Sequence, residues 1–420
     1  MSQFDKVIGY EDVKMELIRI CDTVKHPDKY ARLGISMPRG IMLWGEPGLG
    51  KSLMAQCFIE ESGCPSFTIR KDKPDGDLVN VIRDVFDKAK AEGRSIVFLD
   101  DLDKFANEDN AHPDAEEYVA VQACIDSSKG SDVFVLATAN DRYCLPESLL
   151  RSGRFDKVIK LDCPEGEDAV KVVEHYLSQK KNLGAVDAVE IARIMNGHSC
   201  ADLEAVVNEA GIYAAYDGRD KIDQQYLLRA CMRKIFDAPE RVNNKEKWYS
   251  NSIAVHEAGH VVVAEVLNPG CVNFVSICGY VGTNAGITNI NMENDYERSK
   301  ELMDWNVIRK LAGKAATELV LGLADVGCSV DMTEAFRIIA KLTDDLCVYG
   351  FDTYERGTPS STLLTKKEQL IATQMNIFYQ QAKKILMDNR VFLDKMIDAL
   401  LEKKTLTQND IKLIRDRLQA

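Results

Sequence analysis

Residues 40–58, GIMLWGEPGLGKSLMAQCF, constrain the fold of this chain more than any other stretch. An apolar run of strand length meets the pattern G-x-x-x-x-G-K-[ST] at Gly45–Ser52, and a helical run follows. Glycines there let backbone N–H groups turn onto phosphate oxygens, and the start of the helix adds partial positive charge. Lys51 is spaced to reach the terminal phosphates, and Ser52 to ligate Mg²⁺. The bland alternative is a glycine-rich turn, and Lys-Ser in register between strand and helix argues against it. The residues expected along a nucleotide are therefore Gly45, Glu46, Pro47, Gly48, Leu49, Gly50, Lys51, Ser52 and Leu53.

The surroundings agree. GIMLWG, SFTIR, SIVFLD, VFVLATA and KVIKLD read as five strands, and all but the last precede helical patterns. That alternation predicts a parallel sheet flanked by helices over residues 1–163. SIVFLDD places Asp100 at the tip of an apolar strand facing the glycine loop, where a magnesium ion would be held, and Asp101 where an attacking water would be oriented. Residues 164–237 lose the strand signal and read as a small helical subdomain. Residues 238–251 carry no periodicity and read as a linker. Residues 252–420 are mostly helical, interrupted by VNFVSICGYVGTNAGITNINM, which has the pattern of a small hairpin or sheet. TKKE at Thr365 and TQND at Thr407 have the spacing of helix-capping boxes.

A net charge of −13 argues against a nucleic-acid surface. The twelve cysteines are scattered without a C-x-x-C pair, which suits reduced thiols in a cytoplasmic protein. No apolar run is long enough to span a bilayer.

The second chemical signature is HEAGH, inside the oily segment SIAVHEAGHVVVAEVL. On a helix, His256 and His260 share one face and can bind Zn²⁺, with Glu257 beside them as general base for a water at the metal. The alternative is a core helix whose histidines bond elsewhere. Gly259 in mid-helix costs about 1 kcal/mol against alanine, and close approach of another element or a ligand would justify it. The six histidines are His26, His112, His175, His198, His256 and His260, so none follows the motif. A third ligand is then expected to be a carboxylate, unless a cysteine or a distant histidine supplies it. Glu265 is turned away on the same helix. Glu293, Asp295, Glu318, Asp325, Asp331 and Glu334 remain open by spacing alone, Asp331 also being placed to cap the helix MTEAFRIIAKL.

FDKVIGYEDVKMEL, GEPGLGKS, FLDDLD, ATAND and LLRSGRFD follow one another as in AAA+ ATPases, and with HEAGH, LAGKAATELVLG and VGCSVDMTEAFRIIAKL the chain resembles the FtsH family over nearly its whole length. The resemblance implies an AAA+ α/β nucleotide-binding domain with a helical lid, followed by a mostly helical zinc metallopeptidase domain. It implies an enzyme that uses ATP, Mg²⁺ and Zn²⁺ to degrade protein substrates, working as a homo-oligomeric, hexameric ring. It selects Asp331 as the third zinc ligand and Asn140 as the sensor of the γ-phosphate. It makes Arg151 and Arg154 the arginine fingers acting on a neighbour's nucleotide; by themselves they read as a solvated surface pair. Ile8, Gly9 and His175 fall beside the nucleotide, with the turn Ser199–Leu203 at the lid.

Three departures qualify what is expected. The family's membrane segments have no counterpart here, so a cytoplasmic protein is expected, tethered only where an upstream segment exists. The family's catalytic glutamate is Asp101, one methylene shorter, so slower hydrolysis is expected. Residues 70–80, RKDKPDGDLVN, lack the aromatic of the family's pore loop, so a weaker grip on substrate is expected. The alternatives are a chaperone-like remodelling ring with a vestigial peptidase, and a zinc peptidase only weakly coupled to ATP.

Overall fold

The computed structural model describes residues 2–35, 37–71, 77–106, 116–238, 247–279, 286–291, 299–323, 327–351 and 359–419. His112, Glu293, Asp295, Asp325, the middle of the 70–80 segment and most of the expected linker lie outside the described residues. The chain forms two compact units, Met1–Ala230 and Cys231–Ala420.

In the first unit, α1 (Glu11–Lys25) and α2 (Pro27–Ala31) precede the alternation β1 (Gly40–Trp44), α3 (Lys51–Ser62), β2 (Ser66–Ile69), α4 (Leu78–Glu92), β3 (Ser95–Leu99), α5 (Glu116–Ser127), β4 (Val133–Ala139) and β5 (Lys157–Lys160). The five strands are parallel in the order β2-β3-β4-β1-β5. Alternate residues of β1 enter opposite cores: Ile41 and Leu43 pack with α1 and α3, Met42 with α4 and α5. Burial on both faces explains the unbroken apolar runs of the inner strands. The chain continues through α6 (Gly166–Ser178), α7 (Ala188–Ile194), α8 (Cys200–Tyr216) and α9 (Gln224–Phe236), the division between units falling inside α9. Ser199 and Asp202 form a reciprocal capping box at the start of α8.

The second unit contains α10 (Lys247–Leu267), β6 (Val272–Ser276), β7 (Ile287–Ile290), α11 (Lys300–Leu321), α12 (Ser329–Asp344), α13 (Ser361–Asp388), α14 (Arg390–Lys403), β8 (Thr405–Thr407) and α15 (Gln408–Gln419). The expected hairpin of β6 and β7 is present, and β8 from near the C-terminus joins it in the antiparallel order β7-β6-β8. A three-residue strand next to a helix start carries too little periodicity to be read from sequence. Helix α10 begins at Lys247, inside the stretch read as linker.

Two capping expectations change. Thr365 lies within α13, its hydroxyl bonded back to the Ser361 carbonyl; the cap is Ser360, which accepts from the Leu363 amide one turn earlier. Asp331 is not the cap of α12, which starts at Ser329, and it occupies the helix's first turn. At Thr407 the backbone N–H and hydroxyl reach the Asp410 carboxylate at 3.2 and 3.5 Å, the reverse half of the predicted box.

Helix α10 is buried on most of its circumference by Val255, Ala258, Val261, Val262, Val263 and Ala264. It lies tightly against α11: a Cβ on Gly259 would come within 2.6 Å of the Ala316 Cβ and 2.7 Å of the Ala312 carbonyl oxygen. Among the described residues no helix is long and apolar enough to cross a membrane.

Glu265, 1% exposed near the end of α10, is a structural carboxylate. It accepts from the Gly270 and Val272 amides at 2.9 and 3.1 Å and from Arg415 of α15 at 2.9 Å. Glu265→Ala removes at once the acceptor of the buried Val272 amide, of the Gly270 amide and of the Arg415 guanidinium, so denaturant unfolding of the full chain should show a loss of about 3 kcal/mol in the second unit.

Candidate functional site

The glycine loop joins β1 to α3 as the motif required. Gly48 has φ +83°, and a Cβ there would stand 2.7 Å from Ala201 of α8 and 2.9 Å from the Ser199 hydroxyl, so only glycine lets the lid helix close on the loop. The Ala201 amide bonds the Gly48 carbonyl at 3.1 Å. Lys51, 6% exposed, folds over the loop and donates to the Gly45 and Glu46 carbonyls at 2.7 Å each. Burial lowers its pKa, while the charges of Asp101, Asp103 and Asp100 pull upward. Leu49 is buried as the loop's apolar anchor; Glu46, Pro47 and Leu53 are exposed, and Gly50 starts α3 in the left-handed region at φ +84°.

The ends of β3 and β4 complete this region. Asp100 accepts from Ser52 at 3.1 Å and from Thr138 at 2.9 Å, so the two expected magnesium residues meet directly. Asp101 follows at φ +54°, its amide bonded to Thr138 and its carboxylate paired with Lys104 at 2.6 Å. The Asn140 amide donates to Asp103 at 3.1 Å, which places Asn140 on the same sheet edge. Thr138 was missed in the sequence, although it is the hydrogen-bonding side chain within an otherwise apolar strand.

The remaining expected residues are spread around this edge. Gly9 is buried, and the next amide, Tyr10, donates to Asp168 of α6 at 2.9 Å, which brings the Ile8–Gly9 turn to the lid. His175 lies on an exposed face of α6, with Nε2 2.9 Å from the Gln179 amide nitrogen. Arg151 is exposed. Arg154 is half-buried, paired with Asp126 of α5 at 2.7 Å and bonded to the Ser148 carbonyl.

In the second unit, α10, α11 and α12 bring His256, His260 and Asp331 together, with one potential ligand atom from each lying within 4.8 Å of the others. The two Nε2 atoms are 3.0 Å apart, and Asp331 Oδ2 is 3.4 and 3.3 Å from them. A tetrahedral zinc with bonds of about 2.0–2.1 Å needs ligand atoms about 3.3 Å apart, so the donor set fits that ion. His260 Nδ1 lies 2.8 Å from the Arg309 carbonyl; donating there leaves the Nε2 lone pair facing the centre. Burial alone would raise the pKa of Asp331, but hydrogen bonds with His256 and His260 and the charges of His260 and Lys310 hold it well below the usual carboxylate range. Gly313 of α11 lies beneath the two imidazoles: a Cβ there would be 2.5 Å from His256 Nε2 and 2.7 Å from His260 Nε2.

Glu257 is buried next to this cluster, and the Thr288 hydroxyl on β7 donates to its Oε2 at 2.6 Å. Thr288 gave no sequence signal because its partner is 31 residues away across a loop. Gly313, within LAGKAATEL, was also passed over, although its signal was there to read. A glycine in mid-helix among small residues signals close approach by a neighbour.

The comparisons with known proteins follow this division. Residues 41–163 match the ATPase family associated with various cellular activities, 185–228 the AAA+ lid domain, and 241–414 peptidase family M41. The ATP-dependent zinc metalloprotease FtsH 1 of Thermomicrobium roseum is 31% identical, over 98% of this chain and 68% of its own length. The FtsH protease of Helicobacter pylori strain J99 is 29% identical over 100% of this chain and 71% of its own length. FtsH 2 of Thermoanaerobacter sp. is 27% identical over 98% and 82%. With both catalytic modules matched in order and the alignment running nearly end to end, the chain belongs to the FtsH family of ATP-dependent zinc metalloproteases.

Proposed function

We propose that this chain is an ATP-driven endopeptidase whose peptide-cutting centre is His256, His260, Asp331 and Glu257, and whose fuel site is the Gly45–Leu53 loop with Asp100, Asp101 and Asn140. The observation that carries the reading is the convergence of three ligand atoms beside a buried glutamate. It speaks against a remodelling ring with a vestigial peptidase, because a vestigial site has no reason to keep such geometry.

His256, His260 and Asp331 are the residues that would hold zinc, and the chemistry a bound ion supplies is Lewis acidity towards a peptide carbonyl and a water. Glu257 takes the proton from the attacking water and returns it to the leaving amine. Thr288 holds one carboxylate oxygen of that base, and the other lies against Gly286, where a Cβ would stand 2.5 Å from it. β7 forms the edge of its sheet, and an extended peptide can pair along such an edge.

In the nucleotide site the loop amides and Lys51 would hold the phosphates, and Ser52 and Asp100 would hold magnesium, which supplies positive charge to offset theirs. Asp101 orients the attacking water, and Asn140 reports on the terminal phosphate. Ile8, Gly9 and His175 border the base. Arg151, being exposed, acts on a neighbour's nucleotide, with Arg154 held by Asp126 behind it. An arginine acting in trans requires a ring, and six copies is the number that the family resemblance supports. Twelve cysteines, none of them in a disulfide, support a reducing, cytoplasmic setting. Domain limits of 1–163 and 164–237 follow from the same reading, and the peptidase domain takes in the whole of α10 from Lys247 onward.

Glu257→Gln should lower casein degradation in the presence of ATP by at least about 100-fold, with zinc content and ATP hydrolysis unchanged. Intact cleavage by this variant would refute the peptidase assignment. Running native protein with ATP, with ADP and without nucleotide separates driven from uncoupled cleavage. Gly313→Ala pushes a methyl group between the imidazoles, and chelator competition should show zinc affinity down by about tenfold or more.

A further inference from the structure

Asp331 divides its two oxygens. Oδ2 faces the histidines, whereas Oδ1 is 3.2 Å from Lys310 Nζ of α11. Lys310 in turn is 2.5 Å from Glu334, one turn beyond Asp331 on α12. The Lys310 and Asp331 side chains are 19% and 17% exposed, so that pair is largely enclosed between the two helices, while Glu334, 41% exposed, closes the bridge from its solvent side.

An ammonium group beside a divalent-cation site is unfavourable by itself. Glu334 removes that objection, because it supplies a countercharge and turns Lys310 into a near-neutral arrangement that still presents an N–H donor. We infer that Lys310, backed by Glu334, is a positioning residue for the metal site: it occupies Asp331 Oδ1, fixes the carboxylate plane and offers the ion one oxygen only. A one-oxygen carboxylate with two imidazoles makes three protein ligands, leaving the open position that a catalytic zinc requires. Without Lys310, Asp331 would have to be ordered at the moment of metal binding and could offer both oxygens.

The inference rests on the proposed zinc ligation, and the test separates the two. Zinc affinity of the full chain is measured by chelator competition for native protein, Asp331→Ala, Lys310→Met, Lys310→Arg and Glu334→Gln, with thermal unfolding of each metal-free form alongside. Expected are a loss of about 10–100-fold in Lys310→Met, as for other groups that orient metal ligands, and recovery to within about threefold of native in Lys310→Arg. Glu334→Gln, which keeps the lysine but frees its charge, should also bind zinc more weakly. Cobalt(II) substitution gives a second signature: the visible band of Lys310→Met should lose intensity as the second oxygen joins the ion, while that of Lys310→Arg stays native-like. Native zinc affinity in Lys310→Met, together with a loss in Asp331→Ala, would overturn the role of Lys310 and leave the ligand set standing. Native affinity in Asp331→Ala would overturn the ligand set itself. An unfolding shift in Lys310→Met without change in zinc affinity would reduce the bridge to a structural ion pair and overturn the inference.

Discussion

The close approach of α10 to α11 is the constraint from which the peptidase centre follows. Gly259 gives up about 1 kcal/mol of helix propensity, and in return Ala312 and Ala316 pack directly on the backbone of α10. At that separation the Arg309 carbonyl is within reach of His260 Nδ1, and Gly313 leaves room for both Nε2 atoms. A larger residue at either glycine would alter imidazole geometry before it altered the fold. Helix α12 then needs only its first turn near α11 for Asp331 to meet the histidines. The cluster of His256, His260 and Asp331 thus depends on small residues that contribute no polar side chain to it.

The nucleotide-binding edge is built differently. There the backbone supplies most of the donors, and the side chains hold one another in place. Asp100 is fixed between Ser52 and Thr138, and Thr138 also takes the Asp101 amide. Asp101 adopts a left-handed conformation, which is costly for a residue with a Cβ. Its neighbours over-determine that turn, as expected where a carboxylate must be aimed at one place. The same turn gives the short side chain a defined direction.

The sequence was most informative where a local pattern carries the chemistry. Strand, glycine loop and helix are contiguous, so Gly45–Ser52 could be placed from residues 40–58 alone. HEAGH lies on one helix for the same reason. What could not be read depends on contacts between distant segments: Thr288 on Glu257, Lys310 on Asp331, and β8 on β6 more than 100 residues away. The capping errors have a local cause. Ser360 and Thr365 both stand near the start of α13, and a capping pattern in sequence does not say which one stops the helix.

Packing sets Asp331 apart from the other carboxylates that spacing leaves open. Spacing alone left Glu318, Asp331 and Glu334 in contention among the described residues. Glu318 is committed to Lys314, Lys383 and Tyr379, whose hydrogen bonds hold its pKa down at about 2 against the effect of burial. Glu334 is turned to Lys310, and Glu265 to two amides and Arg415. Each of these carboxylates has its charge answered by donors on a neighbouring element, which is what allows Glu265 to be buried. Asp331 has one oxygen answered in that way and the other aimed between two imidazoles. Half-satisfaction by a fixed cation leaves a directed lone pair and residual negative charge facing the two histidines. A divalent ion needs both, and the other three carboxylates have neither to spare.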